Sequence, residues 1–334
     1  MPESLEQALL DAVSTGCALA RRLQRTRLRA TSKADNSPVT IADFAVQALI
    51  GLAFADVLGA ANVRLAGEES LAMLDDPSHR AVRDAVIAEV QRARADVSAE
   101  AVLAAIDLAT ATGGEDYWTV DPIDGTTGFV RGDQYSIALA RIRRGEVIFG
   151  ILGCPNVSPE GLYDSVPPGE SDGVILVAER GGGCWQRPDS APCEGGTRLV
   201  RAPLGDIGPV VAAASMNLDA PTQRLRDELT AFLGPRVIRR SIDSQVKYGL
   251  LARGEVDVYL RPQRLGHLHE HIWDHAAGAL VATEAGACVF DFDGRPLDFS
   301  HGRNLLRNRG IVGCAAELRA PLFRAIGRST AAGS

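Results

Sequence analysis

The chain has 334 residues, 46% hydrophobic and 23% charged, which suits one large domain or two packed ones and excludes a disordered polymer. Its 35 Lys and Arg against 42 Asp and Glu leave a net charge of −7 with no basic tail or stripe, which argues against coating a nucleic-acid polymer. No run approaches the roughly 18 uncharged apolar residues of a membrane span, so no membrane is expected. Met1-Pro2-Glu3-Ser4 sets no basic region before an apolar one, so no signal peptide is expected either. The six cysteines (Cys17, Cys154, Cys184, Cys193, Cys288 and Cys314) form no Cys-x-x-Cys pair, and the expectation is reduced, packed thiols in a cytoplasmic protein.

Leu5, Ala8, Leu9, Ala12, Leu19 and Leu23 recur at helical spacing and predict an opening helix from Ser4 to about Arg25. A turn-rich stretch leads to a second apolar helix from Thr40 to Gly59. Gly67-Glu68-Glu69-Ser70 ends a short extended piece, and Ser98 has the character of a cap for a helix running towards Thr112. From Tyr117 the period changes, and Trp118-Thr119-Val120 predicts a strand stopping at Asp121-Pro122. Tyr135 to Ile142 and Val147 to Leu152 predict a hairpin around Arg144-Gly145. Four prolines between 155 and 172 mark a surface loop, and Val174 to Glu179 pairs with Cys184 to Arg187 around Gly181-Gly182-Gly183. Past Arg201-Ala202-Pro203, strands and helices alternate: strand 210–214, helix 221–233, strand near Val237, helix from Ser244, strand 256–260, helix from Asp274, strands near Val289 and Ile311, and a final helix. A boundary near residue 200 divides the chain into 1–200 and 201–334.

Three acidic stretches stand out: Glu68-Glu69, the run Asp121-Pro122-Ile123-Asp124-Gly125-Thr126-Thr127, and Trp273-Asp274. Pro122 biases Asp121 away from the helical region and Gly125 permits a tight turn, so Asp121 and Asp124 can converge with a backbone carbonyl between them. Oxygen donors of this kind suit Mg²⁺. Each piece alone has a structural alternative. Asp121 and Asp124 can be turn residues, Asp274 a helix N-cap, Asp43 part of a capping box with Thr40, and the glutamates a solvated pair.

Taken together, Gly67-Glu68-Glu69-Ser70, the run from Trp118 to Phe129 and Trp273-Asp274-His275-Ala276-Ala277-Gly278 resemble the inositol monophosphatase superfamily of Mg²⁺-dependent, lithium-sensitive phosphatases, over about residues 5 to 325. Within it the chain is most similar to the 3′(2′),5′-bisphosphate nucleotidases. That similarity rests on Asn36-Ser37-Pro38-Val39-Thr40 with Asp43, the tail from Gly128 to Tyr135, Asp243-Ser244-Gln245-Val246-Lys247-Tyr248, Val256 to Arg261 and Pro296 to Phe299.

The resemblance implies an α/β (α+β layered) sandwich, with an antiparallel sheet and the first helices before residue 200 and a smaller mixed sheet with helices after it. It implies that Glu68, Asp121, Asp124 and Asp274, with the carbonyl of Ile123, hold two or three Mg²⁺ ions, and that Asp43 and Thr126 position the attacking water. Ser244, Lys247 and Arg261 are expected to take the nucleotide end of a small phosphorylated substrate, with Thr126 and Asp274 also meeting it. The implied activity is removal of the 3′-phosphate of adenosine 3′,5′-bisphosphate, or of its sulfated analogue, in a monomer or homodimer inhibited by Li⁺. Of the chain's lysines, Lys33 and Lys247, both fall in or beside these motifs.

Two departures bear on the substrate. Thr127 stands where the nucleotidases usually have Lys, and Ser215-Met216-Asn217-Leu218-Asp219 lacks the histidine expected near the base. The alternatives are the same chemistry on inositol 1-phosphate, histidinol phosphate or fructose 1,6-bisphosphate, and a catalytically silent sensor of nucleotide or metal. His267, His269, His271 and His275 have spacings that can present imidazoles to one ion. With no Cys among them, a solvated loop entering a helix is the expected reading.

Overall fold

The computed structural model describes residues 3–29, 37–160, 172–204, 210–214, 223, 227–228, 231–232, 234, 237–263 and 269–332. Lys33, Asn36, segment 215–219, most of the helix expected over 221–233, His267 and positions 161–171 of the expected surface loop lie outside the described residues.

Helix α1 (Glu3–Arg29) buries Leu5, Leu9, Val13, Cys17, Ala20 and Leu23, one stripe at helical spacing. Helix α2 (Ser37–Leu58) is buried almost all round and packs against α1, α4 (Arg80–Ala93), α5 (Ala99–Asp107) and strand β2 (Asp116–Asp124). Its Thr40–Leu58 stretch is long and apolar enough to cross a membrane, against the expectation from the sequence, but 72% of the apolar window is buried inside the molecule, as in a core helix. Ser98 caps α5, its hydroxyl accepting from Ala101 N at 3.2 Å. That helix stops at Asp107, short of Thr112, because the next residues turn onto β1 (Leu65–Gly67): Gly67 N donates to Ala109 O and Ala111 N to Leu65 O. Between them lies α3 (Leu71–Leu74). The alternating pattern did not reveal α4, whose apolar positions are sparse among charged ones.

Strand β1 opens a seven-stranded sheet, continued by β2 (Asp116–Asp124), β3 (Ser136–Arg143), β4 (Glu146–Cys154), β5 (Val174–Glu179), β6 (Gly183–Pro188) and β7 (Thr197–Leu199), in that order. Every pair is antiparallel except β1 with β2, so the sheet is not wholly antiparallel as expected. Arg144 and Gly145, at φ 52° and 78°, form the two-residue turn joining β3 to β4.

Strand β2 does not stop at Asp121-Pro122. It runs on to Asp124 through a bulge, with Asp121 opposite Ala138 and Asp124 opposite Ser136, and is followed by α6 (Thr126–Arg131). Three steps along β2 are matched by two along β3, which leaves one residue over. The ladder with β1 has already ended at Val120, so Pro122 deprives no second neighbour of an N–H.

The second sheet has the order β11-β12-β10-β8-β9, comprising β8 (Val210–Ala214), β9 (Val237–Ser241), β10 (Val258–Arg261), β11 (Cys288–Phe290) and β12 (Ile311–Cys314). It is mixed: β8 is parallel to both β9 and β10, and the other pairs are antiparallel. Side-chain alternation sorts the core into layers. Ile137, Leu139, Ile151 and Val177 face α1 and α2, whereas Ala138, Ala140, Leu152 and Leu176 face α7 (Val246–Arg253) and α8 (Ala276–Glu284). Tyr259 and Ile311 cover the far side of those two helices, and Val258, Leu260 and Val312 face the terminal helix α9 (Arg319–Ala332). The result is helix, sheet, helix, sheet, helix, with one core cluster shared across residue 200.

Helix α8 lies between both sheets with Ala276 through Ala282 buried, and its small side chains make that fit. A Cβ on Gly278 would stand 2.4 Å from the Tyr248 ring, which is fully buried and edge-on to Tyr259 at 5.0 Å. Gly278→Ala is therefore expected to cost about 1–3 kcal/mol of stability by overpacking, measured by urea unfolding, and an unchanged midpoint would show that Tyr248 can yield.

Candidate active site

The expected site residues come from seven places in the fold, two of them being Thr126 at the start of α6 and Arg261 at the end of β10. Asp43 sits in the second turn of α2, Glu68 follows β1, Asp121 to Asp124 form the β2 bulge, Ser244 and Lys247 flank the start of α7, and Asp274 precedes α8. The bulge decides which way the central acids point. Residues three apart on a regular strand face opposite ways, but partners Ala138 and Ser136 lie two apart on β3, so Asp121 and Asp124 share a face. Ala138 belongs to the face packed on α7 and α8, which directs both carboxylates towards the N-terminal ends of those helices.

Two buried glutamines fix the loops. Gln47 on α2 is fully buried, donates to Glu69 O at 2.9 Å and accepts from Glu69 N at 3.2 Å, which pins the Glu68-Glu69 turn. Gln245 donates its backbone N–H to Asp124 Oδ2 and its side-chain amide to Trp273 O at 2.8 Å, and accepts from Gly278 N at 3.0 Å. One residue thereby ties the bulge to the segment carrying Asp274. Gly125, at φ 91°, is needed between them, since a Cβ there would lie 2.7 Å from Ser244 Cβ and 3.0 Å from Asp243 O. Arg131 braces the same junction through Asp243 at 2.6 Å. Sequence reasoning gave Gln47 and Gln245 no role of their own; for Gln47, a lone amide within an apolar helix is a signal for a buried anchor.

The acids are crowded. Asp121 is 2% exposed, and Oδ1 has no donor aimed at it among the described residues; the Glu68 carboxyl beside it can offer only a shared proton. Burial, then Glu68, Asp124 and Asp274, push the Asp121 carboxyl well above the usual range. Burial followed by Glu69 and Glu68 does the same to Asp43, which is 8% exposed and lies inside α2 rather than at its cap. Glu69 is raised by burial and by Glu68 to about 7. Glu68 is raised by the protein around its carboxyl although its outer flank is exposed. Asp124 is raised by burial against the pull of Lys247, the Gln245 N–H and Arg261, while Ser136 Oγ donates to it at 3.3 Å. Asp274 is raised by burial and by Asp124 and Glu68 against the opposing pull of Arg261. It is not an N-cap: His275 holds that position and makes no side-chain cap bond.

These acids outnumber the cations near them. Lys247 is 1% exposed, donates to Ile242 O at 2.7 Å and is lowered by burial to about 8. Ser244, 2% exposed, accepts from Val246 N at 3.3 Å. Of the three residues expected at the nucleotide end, only Arg261 is open to solvent, with 33% of its side chain exposed. Exposed Thr126 donates to Ile123 O at 3.4 Å. An acceptor without a donor, set among like charges and short of balancing cations, fits bound divalent metal.

Among the described histidines, His275 departs most from the solvated loop expected. His275 is fully buried, bonded to Tyr248 Oη at 2.9 Å and lowered by burial to about 4. Exposed His271 stacks on Trp273 at 4.5 Å, and half-buried His269 leaves Nδ1 without a partner among the described residues. Arg303 covers Trp273 at 4.6 Å and donates to Gly67 O at 2.6 Å, which links the Asp274 segment to the Glu68 turn.

Each raised carboxyl keeps its proton to a higher pH when folded than when unfolded. Their protonation favours the folded state fully below about pH 4, and that advantage is lost as pH rises through the folded values. Chelator-treated protein is therefore expected to lose stability through this cluster between about pH 4 and 7.5, and Asp121→Asn to flatten that slope. Urea midpoints of both proteins across the range check this, and parallel curves would contradict it.

The family profile described as the inositol monophosphatase family matches residues 3–328. A 3′(2′),5′-bisphosphate nucleotidase of Oryza sativa is 35% identical over 336 residues, covering 96% of this chain and 92% of its own length. The 3′(2′),5′-bisphosphate nucleotidase of Schizosaccharomyces pombe is 35% identical over 320 residues, covering 86% and 83%. Among solved structures, CysQ of Bacteroides thetaiotaomicron, a bacterial member of the inositol monophosphatase family, superposes with a TM-score of 0.59 at 21% identity, over 92% of this chain and 96% of that one. Profile, relatives, layered fold and acidic site agree: the chain belongs to the inositol monophosphatase family.

Proposed function

We propose that this chain is a Mg²⁺-dependent 3′(2′),5′-bisphosphate nucleotidase that hydrolyses the 3′-phosphate of adenosine 3′,5′-bisphosphate and accepts the sulfated analogue. The observation that carries the reading is the acidic cluster joined by Gln245 to the segment of Ser244 and Lys247, in a chain 35% identical to nucleotidases over most of its length. Glu68, Asp121, Asp124 and Asp274, with the carbonyl of Ile123, would hold two or three Mg²⁺ ions, with Li⁺ as an inhibitor. Bound Mg²⁺ neutralises phosphate charge, makes water a stronger nucleophile and steadies the leaving oxygen.

The chain's own residues do the rest. Asp43 and Thr126 position the attacking water, Asp43 from the rigid α2 and Thr126 from the turn anchored on Ile123 O. Lys247 acts as a fixed positive charge beneath Asp124 rather than as an exposed contact, because its ammonium is covered and bonded to Ile242 O. Arg261 is the cation that meets the second phosphate, being the one of the pair that solvent reaches. In this division residues 1–200 supply most metal ligands, and 201–334 supply the nucleotide-facing groups and Asp274.

Phosphate release with Mg²⁺ from adenosine 3′,5′-bisphosphate, inositol 1-phosphate, histidinol phosphate and fructose 1,6-bisphosphate tests the substrate. A preference for the nucleotide of about tenfold or more is expected, about 1.4 kcal/mol of discrimination, and a preference for another ester would overturn the assignment. Asp121→Asn is expected to lower kcat by at least about 10²-fold with folding retained, seen by circular dichroism. Equal inactivity of wild type and variant on every ester would favour the silent sensor. Lys247→Met is expected to lower kcat/KM about equally, by about tenfold, for the bisphosphate and a monophosphate, because Lys247 acts through Asp124; a loss confined to the bisphosphate would place Lys247 at the second phosphate instead.

A further inference from the structure

A second charged assembly stands beside the acidic cluster, built around Arg261 from Glu270, His275 and Tyr248, to which the reading above gives no role. Glu270 grips Arg261 at two points, accepting from Nε at 3.0 Å and pairing with Nη2 at 2.6 Å. Behind Glu270, His275 Nε2 lies 3.5 Å from Oε2, and Tyr248 Oη lies 2.9 Å from His275 Nδ1. The backbone carbonyl of Glu270 accepts from Leu305 N at 2.8 Å. His275 and Tyr248 are fully buried, so the relay rests on the packed helices α7 and α8.

A guanidinium carries five N–H donors in one rigid plane. With the Nε–Nη2 edge held by Glu270, the plane is fixed, the outer Nη2 donor turns to Asp274, and the Nη1 donors are the ones directed at a ligand. Nη2 also comes within 3.5 Å of Asp274 Oδ2, which places this fork at the border of the acidic cluster. Glu270, Asp274 and His275 have donor atoms within 4.8 Å of one another, the spacing of a cation site. The Glu270 carboxylate is already committed to Arg261 and His275, so aiming the arginine accounts for it better than holding an ion.

We infer that Glu270 is a positioning residue that aims the open edge of Arg261 at the substrate's second phosphate, and so sets the preference for a bisphosphate over a monophosphate. The inference rests on the bisphosphate reading above, and the experiment separates the two.

Steady-state kinetics with Mg²⁺ on adenosine 3′,5′-bisphosphate and on 3′-AMP, which lacks the 5′-phosphate, would compare wild type with Glu270→Ala, Glu270→Gln, Arg261→Ala and the double alanine variant. Glu270→Ala is expected to raise KM for the bisphosphate about tenfold with kcat within about threefold, and to leave KM for 3′-AMP unchanged. Glu270→Gln, which keeps one acceptor for Nε, is expected to recover part of that loss. The double variant is expected to be no worse than Arg261→Ala, because Glu270 acts through Arg261. Equal losses on both substrates, or additive losses in the double variant, would overturn the inference. If Glu270→Ala does not fold, Glu270→Gln carries the test, with a rise in KM of about threefold confined to the bisphosphate; no such rise would overturn the inference. A wild type that prefers 3′-AMP would remove the bisphosphate reading and this inference with it, whereas a wild type that prefers the bisphosphate beside an unaltered Glu270→Ala removes this inference alone.

Discussion

The mutual repulsion of buried carboxylates is the constraint around which this structure is organised. Burial raises the proton affinity of Asp43, Glu68, Asp121, Asp124 and Asp274, neighbouring acids raise it further in all of them but Asp124, and Asp121 has no donor for one oxygen among the described residues. A chain left to itself separates such groups. Here each is held by something that does not depend on charge: an apolar helix, a strand, a bulge and two helix starts. The stability of the packed layers offsets the cost of the site, and that cost is recovered when cations enter.

Holding the acids together takes residues that touch no substrate. Gln47 and Gln245 each make three hydrogen bonds to other segments of the chain, and each closes a gap between elements distant in sequence. Arg303 adds a third link by covering Trp273 while donating to Gly67 O and Ala111 O. The central helix α8 contributes differently. Its run of alanines and one glycine lets both sheets approach, so the groups at its start are set by backbone positions and not by adaptable side chains.

Much of this was legible in the sequence, and the reason differs by level. The opening helices, the two hairpins and the alternating C-terminal half follow from side-chain period, which local sequence encodes directly. The acidic set was legible because three acidic stretches in one order match a family pattern, although each alone reads as a turn, a cap or a solvated pair. Helix α4 was not, since its buried face is only Val86 and Val90 among charged neighbours. Nor was the course of β2, because proline reads as a stop when the neighbouring strand has in fact already ended. The covering of Lys247 and Ser244 was not legible either, because burial of a polar group depends on what folds over it from elsewhere. His275 belongs with these: its spacing to His271 suggested a shared ligand, and tertiary packing turned one ring into the core and the other onto Trp273.

The bulge in β2 gives the acidic motif the character of a parity code. A strand counts its side chains in twos, and an odd step between two aspartates would ordinarily split them between the helix layers on opposite faces of the sheet. The added residue converts odd to even at a single place, so the motif is specified by its count as much as by its letters. Ile123 is consequently a spacer whose identity matters less than its presence. Exchanging its side chain would disturb packing alone, whereas removing the position would leave a regular step of two, with both aspartates still on one face but without the bulge and the carbonyl that stands between them. Straightening the bulge with the residue kept is what would turn Asp124 to the face of α1 and α2, as an unpaired charge in the core.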